Sequence, residues 1–344
     1  RHFTEPIMGD NAIQQYYGET LTSQRDLKTG ACCSPEAMPA YLQDWLREIP
    51  REVTDRFYGC GSPIPAAAAG ATVVDLGCGT GRDAFLASRL VGPAGRVIGI
   101  DMTPQQLAVA TRNVAEHRKT SGLDNIEFRS GSIEDLAAAG VGDDSVDVVI
   151  SNCVLNLAGD KARVLAEVFR ALKPGGELFF SDVFADRRIP DALLQDPVLR
   201  GECLSGALYL EDFRRLLLDL GCADFRIVAR SPVPLLDADI EAVIGHVRFE
   251  SITVRAFKLD LEDRCEDYGQ VATYRGTIPH HPHAFALDDH HRFERGRPML
   301  VCSNTADMLA KTRYAGHFSV TARGAHFGLF DCAPTTTAAP AACC

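Results

Sequence analysis

The stretch from Val73 to Asp101 reads VVDLGCGTGRDAFLASRLVGPAGRVIGID, and it decides the fold. An apolar run at 72–76 predicts a strand, a glycine-rich turn follows at 77–81, and residues 82–91 have a helical pattern. A second apolar run at 96–100 then ends on Asp101. This order of strand, tight turn, helix and strand predicts a βαβ unit, with an acid at the end of its second strand.

The residues after Asp101 continue the alternation of helices and strands. Helices are predicted over 103–119, 161–172 and 209–220, and strands over 125–129, 145–152, 177–183, 225–231 and 247–259. Strands that alternate with helices predict a mostly parallel α/β sheet, covered by helices on both faces.

Composition and periodicity divide the chain into four regions. Residues 1–70 are expected to form a helical cap, and residues 71–260 the core, with an insertion at 184–208. Residues 261–332 have weaker periodicity and predict a small α+β domain. The tail 333–344 (APTTTAAPAACC) is of low complexity, and we expect it to be disordered.

The overall composition favours a small-molecule partner. The chain has 344 residues, 46% of them hydrophobic, and a formal net charge of −11. The acidic balance argues against a broad surface for nucleic acid or anionic lipid, and no apolar run approaches the ~18 residues of a membrane span. The first residues lack the apolar segment of a secretory signal. We therefore expect a cytoplasmic protein, and we also expect it to be a monomer. In a reducing compartment, its twelve cysteines are expected to serve metal binding, nucleophilic or redox chemistry, or packing.

The sequence of the glycine loop distinguishes between three possible classes of ligand. A Walker loop requires Lys-Ser/Thr after its last glycine, but Arg82-Asp83 stands there. A dinucleotide fingerprint requires G-x-G-x-x-G, and the spacing here is one residue shorter. Asp75, just before the loop, is unfavourable beside a pyrophosphate and suits a ligand with a cationic end. S-adenosylmethionine is such a ligand, and Asp101 is placed to accept hydrogen bonds from its ribose.

The D-x-G-x-G-x-G pattern resembles that of the class I S-adenosylmethionine methyltransferases. The resemblance implies a Rossmann-like sheet of seven mostly parallel strands, the last of them antiparallel, with cofactor contacts at the carboxyl ends of the first four. The cofactor-binding residues predicted on this basis are Asp75, Gly77, Cys78, Gly79, Gly81, Asp101, Met102, Gln105, Ser132, Ile133, Glu134 and Asn152.

Four cysteines lie in segments that should meet at the same edge of this sheet. Cys153 directly follows the fourth strand, Cys203 lies in the insertion, and Cys60 and Cys32 lie in the cap. Any one of them alone is better explained by core packing. As a set they favour a soft site, because thiolates prefer thiophilic atoms.

With these cysteines in place, the chain resembles the arsenite methyltransferases. The matching segments are YYGETL (16–21), DLKTGACC (26–33), RFYGCG (56–61), DLGCGTGRD (75–83), GIDMTPQQL (99–107), SNCVLNL (151–157), PGGELFFSDV (174–183) and GECLSGALY (201–209). The resemblance implies that Cys60, Cys153 and Cys203 bind arsenic(III). It also implies catalytic roles for Cys32 and Tyr58. Alignment of the segment DLKTGACC with the family favours Cys32 over Cys33 as the catalytic cysteine.

The resemblance further implies a mechanism. Three thiolates hold arsenic(III) and direct its lone pair at the sulfonium methyl, so that in-line displacement depends on positioning. The products are methylated arsenicals and S-adenosylhomocysteine. A disulfide relay, with Cys32 and Cys60 as its pair, then restores the trivalent state, and thioredoxin or glutathione reduces the relay. Arsenite, its thiol conjugates and methylarsenite are the expected substrates.

Two other functions are compatible with parts of the sequence. A C-methyltransferase acting on a quinone or sterol has a similar core but needs no cysteines in the cap or insertion. A non-catalytic thiol protein that sequesters arsenic needs the cysteines but not the cofactor loop.

Overall fold

The computed structural model describes Tyr17 and residues 38–194, 196, 199–200, 203–235 and 238–332. The chain forms two compact units, residues 1–260 and residues 261–344. In the described residues, no helix is both long enough and apolar enough to cross a membrane.

The first unit is built on one eight-stranded sheet. Its strands are β1 (Thr72–Leu76), β2 (Arg96–Asp101), β3 (Ile126–Ser130), β4 (Val146–Asn152), β5 (Leu172–Ala185), β6 (Leu208–Tyr209), β7 (Phe225–Pro232) and β8 (Phe249–Phe257). Seven strands follow the order β3-β2-β1-β4-β5-β8-β7, and β6 pairs with β5. The first five strands are parallel, and β8 runs antiparallel between β5 and β7. This confirms the predicted Rossmann-like sheet and adds one short strand.

Strand β5 begins earlier than the sequence predicts. Pro174 and two glycines indicate a turn, yet Leu172 already pairs with Val146 of β4. A register shift between Val146 and Val148 accommodates these residues. The ion pair between Lys173 and Asp147, at 2.9 Å, ties the two strands together at this irregularity.

Helices cover the sheet on both faces. Those of the first unit are α1 (Ala40–Glu48), α2 (Arg51–Thr54), α3 (Arg82–Val91), α4 (Pro104–Ser121), α5 (Lys161–Ala171), α6 (Leu210–Asp219) and α7 (Ala238–Ile244). Leu42 of α1 and Val53 of α2 are buried in the same core cluster as Phe85 and Leu86 of α3. The described part of the cap is therefore packed onto the helix that follows the glycine loop.

The second unit is a small α+β fold. It contains β9 (Glu266–Asp267), β10 (Gln270–Tyr274), β11 (Ala284–Ala286), β12 (Arg292–Glu294), β13 (Pro298–Val301), α8 (Ser303–Ala310), β14 (Phe318–Val320) and β15 (Gly328–Leu329). Strand β10 lies between β13 and β14, while β11 pairs with β12 and β9 with β15. Aromatic rings fill its core; Phe285 lies 5.0 Å from Tyr314 and Phe293 5.2 Å from Phe318.

Candidate active site

The glycine loop between β1 and α3 combines tight packing with one open face. Gly77 and Gly81 have φ of 61° and 90°, which disfavours side chains. A Cβ at Gly77 would lie 2.4 Å from Val154 Cγ1, and one at Gly81 would lie 2.6 Å from Phe128 Cζ. At Gly79, by contrast, a Cβ would meet no atom within 4 Å. The loop therefore packs on both sides and leaves Gly79 open to a ligand.

Asp101 is fixed at the end of β2 by the loop itself. Its carboxylate accepts the N–H of Gly79 and the N–H of Thr103, each at 2.8 Å. Burial raises the pKa of Asp101, and these hydrogen bonds counteract part of that rise. A carboxylate held in this way presents its remaining lone pairs in a fixed direction, as recognition of ribose hydroxyls requires.

Asp75 presents an unsatisfied carboxylate oxygen. The residue is 3% exposed, and its Oδ2 has no hydrogen-bond partner among the described residues. Burial, together with the charges of Asp83 and Asp101, raises the pKa of Asp75 well above its usual range. A ligand ammonium group would supply the missing partner and favour the ionised form. The site therefore fits the amino-acid end of S-adenosylmethionine.

A cleft runs along the carboxyl ends of the first four strands. Twelve of the residues predicted from the sequence line it: Tyr58, Asp75, Gly77, Cys78, Gly79, Asp101, Met102, Ser132, Ile133, Glu134, Asn152 and Cys153. Gly81, Cys60 and Cys203 are not among the residues that line the cleft. Cys32 falls outside the described residues.

One predicted residue points away from the cleft. Gln105 is exposed on the outer side of α4, whereas its neighbour Gln106 is buried and lines the cleft. Gln106 Nε2 also donates to the carbonyl oxygen of Tyr17, at 2.9 Å. Successive residues of a helix point about 100° apart, so this is a difference in helical phase.

Asn152 and Glu134 border the cleft, but their side chains bind the protein. Asn152 accepts the N–H of Cys60 at 2.9 Å and donates to Asp83 Oδ2 at 2.8 Å. Glu134 accepts the N–H groups of Gly159 and Asp160, at 2.8 and 3.0 Å, just before α5 begins. Both residues thus organise the segments around the cleft.

Three of the predicted cysteines come together at the end of β4. Cys153 forms a disulfide with Cys60, with a Cα–Cα distance of 5.8 Å. The thiol of Cys203 donates to the carbonyl oxygen of Cys153, at 3.4 Å. All three are buried: Cys60 is 1% exposed, Cys153 3% and Cys203 0%. Thus the cap, the residue that follows β4 and the insertion each contribute one cysteine to a single buried cluster, the sulfur group.

The backbone of two of these cysteines is held in an unusual conformation. Cys153 and Cys203 have φ of 56° and 61°, in the left-handed region that residues with a side chain seldom occupy. Asn156 holds the second of them in place, because its Nδ2 donates to the carbonyl oxygen of Cys203, at 3.2 Å. Such strain is typical of residues whose side chains must point in one functional direction.

Asp182 of β5 lies beside the Cys60–Cys153 disulfide and is not among the site residues predicted from the sequence. One of its carboxylate oxygens and the sulfurs of Cys60 and Cys153 all lie within 4.8 Å of one another. Burial raises the pKa of Asp182 to about 7, despite hydrogen bonds from the N–H groups of Val183 and Asn156. A signal was present in ELFFSDV, where Asp182 is an acid in a run that is otherwise mainly apolar.

Two tyrosines stand beside the thiols. Tyr58 lines the cleft, and its ring centroid lies 5.6 Å from that of Tyr17. The Tyr17 hydroxyl is 3.9 Å from the sulfur of Cys203. Both rings line the cleft, and Tyr58 also packs against the buried cysteines.

Comparison with known proteins identifies the family. A family model described as a methyltransferase domain matches residues 67–221, and one described as a domain of unknown function (DUF8838) matches residues 261–343. An arsenite methyltransferase from Aquipseudomonas alcaligenes is 51% identical over 322 residues, which are 93% of each chain. The human arsenite methyltransferase is 38% identical over 314 residues, 90% of this chain and 82% of that one.

A solved structure agrees with this assignment. The crystal structure of an arsenic(III) S-adenosylmethionine methyltransferase from Chlamydomonas reinhardtii superimposes with a TM-score of 0.82. It is 50% identical, and the match covers 86% of this chain and 100% of that one. The chain therefore belongs to the arsenite methyltransferase family, as its cysteine-bearing segments predicted.

Proposed function

We propose that this protein methylates trivalent arsenic, which it holds on the sulfurs of Cys60, Cys153 and Cys203. One observation carries the proposal: Cys153 belongs both to the buried sulfur group and to the wall of the cleft that contains Asp75 and Asp101. A soft substrate on these sulfurs would therefore face a ligand bound in that cleft.

The residues of the cleft suit the parts of S-adenosylmethionine. Asp75 would accept hydrogen bonds from its ammonium group, Asp101 from its ribose hydroxyls, and Ser132 and Ile133 would border its adenine. When bound, the cofactor supplies an electrophilic methyl group on a sulfonium sulfur. The open face of Gly79 leaves room for close approach to the loop.

Arsenic binding is a condensation. Arsenous acid and three thiols form three As–S bonds and release three waters, with no change of oxidation state. Cys60 and Cys153 must first be reduced, because in the structure they form a disulfide. Two thiols of thioredoxin or glutathione would become a disulfide in exchange. We propose that the protein acts as a monomer in the cytoplasm, where such reductants are maintained.

In the transfer step, the arsenic lone pair attacks the methyl carbon. An As–C bond forms, the S–C bond breaks, and the electron pair of that bond stays on sulfur as S-adenosylhomocysteine leaves. Arsenic is formally oxidised by two electrons. Two thiols return those electrons as they become a disulfide. The family resemblance implies that Cys32 and Cys60 are these two thiols. Cys60 and Cys153, which form a disulfide in the structure, are a second pair that could supply two electrons in the same way.

Arsenic speciation tests the proposal. The full chain is incubated with arsenite, S-adenosylmethionine and a thiol, and products are separated by chromatography with elemental detection. Methylated arsenic is expected. Cys153→Ser or Cys203→Ser should lower the rate of its formation by more than about 100-fold, because loss of a residue that merely supports a metal ligand already costs about 10- to 100-fold. Cys222→Ser is the matched control, since Cys222 is buried in the core away from the cleft.

Two outcomes would contradict the proposal in different ways. Methyl transfer to a quinone or sterol that survives both Cys153→Ser and Cys203→Ser would indicate the carbon methyltransferase. Arsenite binding without retention of labelled S-adenosylmethionine in equilibrium dialysis would indicate a protein that only sequesters arsenic.

A further inference from the structure

The second unit contains a cluster of three cysteines that are not among the residues of the cleft or of the sulfur group. The sulfurs of Cys265, Cys302 and Cys332 all lie within 4.8 Å of one another. Cys265 directly precedes β9, Cys302 directly precedes α8, and Cys332 follows β15. The pairing of β9 with β15, and the N–H of Phe330 donated to the Cys265 carbonyl at 2.8 Å, hold two of the three segments together.

Cys302 occupies a position that normally favours an oxygen. It is the N-cap of α8 and is 0% exposed, and its sulfur accepts the N–H of Thr305 at 3.4 Å. Serine, threonine, aspartate and asparagine are the preferred N-caps, and sulfur is a weak acceptor. A helix N-terminus also favours a thiolate and makes a cysteine there more reactive. The sulfur at this position therefore suits a ligand role that a hydroxyl would serve poorly.

The other two thiols make the cluster accessible. Cys265 and Cys332 are partly exposed, so that a small solute can reach sulfurs that surround a buried one. Arsenous acid is a small uncharged solute, and it condenses with thiols and releases water.

We propose that Cys265, Cys302 and Cys332 form a second binding site for trivalent arsenic in the C-terminal unit. Arsenous acid would form three As–S bonds there and release three waters, which leaves a neutral product and an unchanged oxidation state. This assigns an arsenic-binding role to the region that matches a domain of unknown function.

The number of ligands distinguishes arsenic(III) from zinc. Zinc in structural sites takes four ligands, commonly cysteine or histidine. Among the described residues of the unit, three possible ligand atoms lie close to one another at this site, and all three are cysteine sulfurs. Three thiolates on Zn²⁺ would also leave a net negative charge at a partly buried position, which is costly. Trivalent arsenic needs three sulfurs and no fourth ligand.

The choice of arsenite as ligand rests on the proposed function, so the test separates the two sites. In a background variant, serine replaces Cys32, Cys33, Cys60, Cys153, Cys203, Cys343 and Cys344 in the full chain. Circular dichroism verifies that this variant is folded. It is titrated with arsenite in the presence of a phosphine reductant and then desalted. The number of arsenic atoms retained per chain is measured by mass spectrometry. We expect one arsenic per chain, with three sulfur neighbours in X-ray absorption.

A conservative substitution then removes one sulfur. Cys302→Ser keeps an N-cap oxygen, so that α8 remains capped, and it should reduce the retained arsenic at least about 10-fold, the lower range for loss of a partner at a metal site. Cys222→Ser in the same background is the control and should change nothing. In the otherwise wild-type chain, Cys302→Ser should lower the arsenic bound at saturation by one per chain, which avoids reliance on the multiple variant.

Three results would overturn the proposal. These are no arsenic retained in the folded background variant, equal retention with Cys302→Ser, or a tightly held Zn²⁺ that arsenite fails to displace. The background variant lacks the thiols needed for methyl transfer, so its result is independent of whether the wild-type chain methylates arsenite.

Discussion

The side-chain oxygen of Asn152 accepts the backbone N–H of Cys60 at 2.9 Å, which ties the end of β4 to a cysteine of the cap. The same side chain donates to Asp83 Oδ2 at the start of α3. Gly59 makes this approach possible, since a Cβ there would lie 2.5 Å from Asn152 Cγ. One amide thus fixes Cys60 relative to the glycine loop and to Cys153.

Asn152→Ala should impair methyl transfer more than cofactor binding. Removal of the amide frees the turn that holds Cys60, and a displacement of about 1 Å at a reacting group can cost about 100-fold in rate. We expect kcat for arsenite to fall about 100-fold, while the Kd of S-adenosylmethionine from calorimetry changes by less than about 3-fold. A large rise in that Kd with kcat preserved would instead support the direct cofactor contact that the sequence predicts for Asn152.

Adjacent glutamines provide a matched test of the cleft wall. Gln106 lines the cleft and Gln105 is exposed. Gln106→Ala should weaken S-adenosylmethionine binding about 5-fold, the effect of one hydrogen bond of about 1 kcal/mol. Gln105→Ala should leave the Kd unchanged. Equal effects of the two substitutions, measured by calorimetry, would contradict the position of α4 relative to the cofactor.

What the sequence predicted well is local in the chain. Asp75, the glycine turn and Asp101 lie within one βαβ unit, where spacing alone determines which groups meet. The meeting of Cys153 with Cys203 was also predictable, because the ends of parallel strands share one edge of a sheet and both cysteines lie beside that edge.

What the sequence did not predict depends on side-chain direction or on distant partners. The choice between Gln105 and Gln106 is a matter of helical phase, which a boundary uncertain by one residue cannot settle. The Asn152–Cys60 hydrogen bond joins residues 92 positions apart. Asp182 lies in a strand buried on both faces, where alternation gives no sign of which side chain faces a site.

Asp75→Asn should have opposite effects on cofactor affinity and on the stability of the ligand-free protein. Burial raises the pKa of Asp75, so the stability linked to this group is present at low pH and is lost as the pH rises through the folded-state pKa. The side-chain amide of Asp75→Asn does not ionise, so this variant keeps the stability that the wild type loses at high pH. Its Tm at pH 8 without ligand should therefore be higher than that of the wild type. It also removes a charged hydrogen-bond partner of about 1.5–3 kcal/mol, which weakens S-adenosylmethionine binding about 10- to 150-fold.

Calorimetry at pH 8 measures both effects for Asp75→Asn. Asp135→Asn provides a control, because Asp135 does not line the cleft and its carboxylate accepts the N–H of Ala138, at 3.0 Å. A lower Tm together with unchanged cofactor affinity would show that Asp75 serves packing alone.

Asp182→Asn should remove a pH dependence of stability near neutrality. The folded-state pKa is raised from 3.8 to about 7 by burial, so the linked stability is complete below pH ~4 and is lost as the pH rises through about 7. At 1.36 kcal/mol per pKa unit, the loss amounts to about 4 kcal/mol. Urea unfolding at pH 5 and pH 8 should therefore show a steeper decline for the wild type than for Asp182→Asn. Parallel pH profiles for the two proteins would place the Asp182 carboxylate in a more polar setting than its burial indicates.

The buried ion pair between Glu177 of β5 and Arg255 of β8 predicts strong non-additivity. The two charges lie 3.1 Å apart, with side chains that are 0% and 3% exposed. Loss of one partner leaves an uncompensated buried charge, so Glu177→Leu should lower the free energy of unfolding by about 3–5 kcal/mol. The double substitution with Arg255→Met replaces the pair by apolar groups and should recover most of that loss. Urea unfolding of both single variants and the double variant measures the coupling, and a double variant as unstable as the sum of the singles would contradict a direct charge pair between these strands.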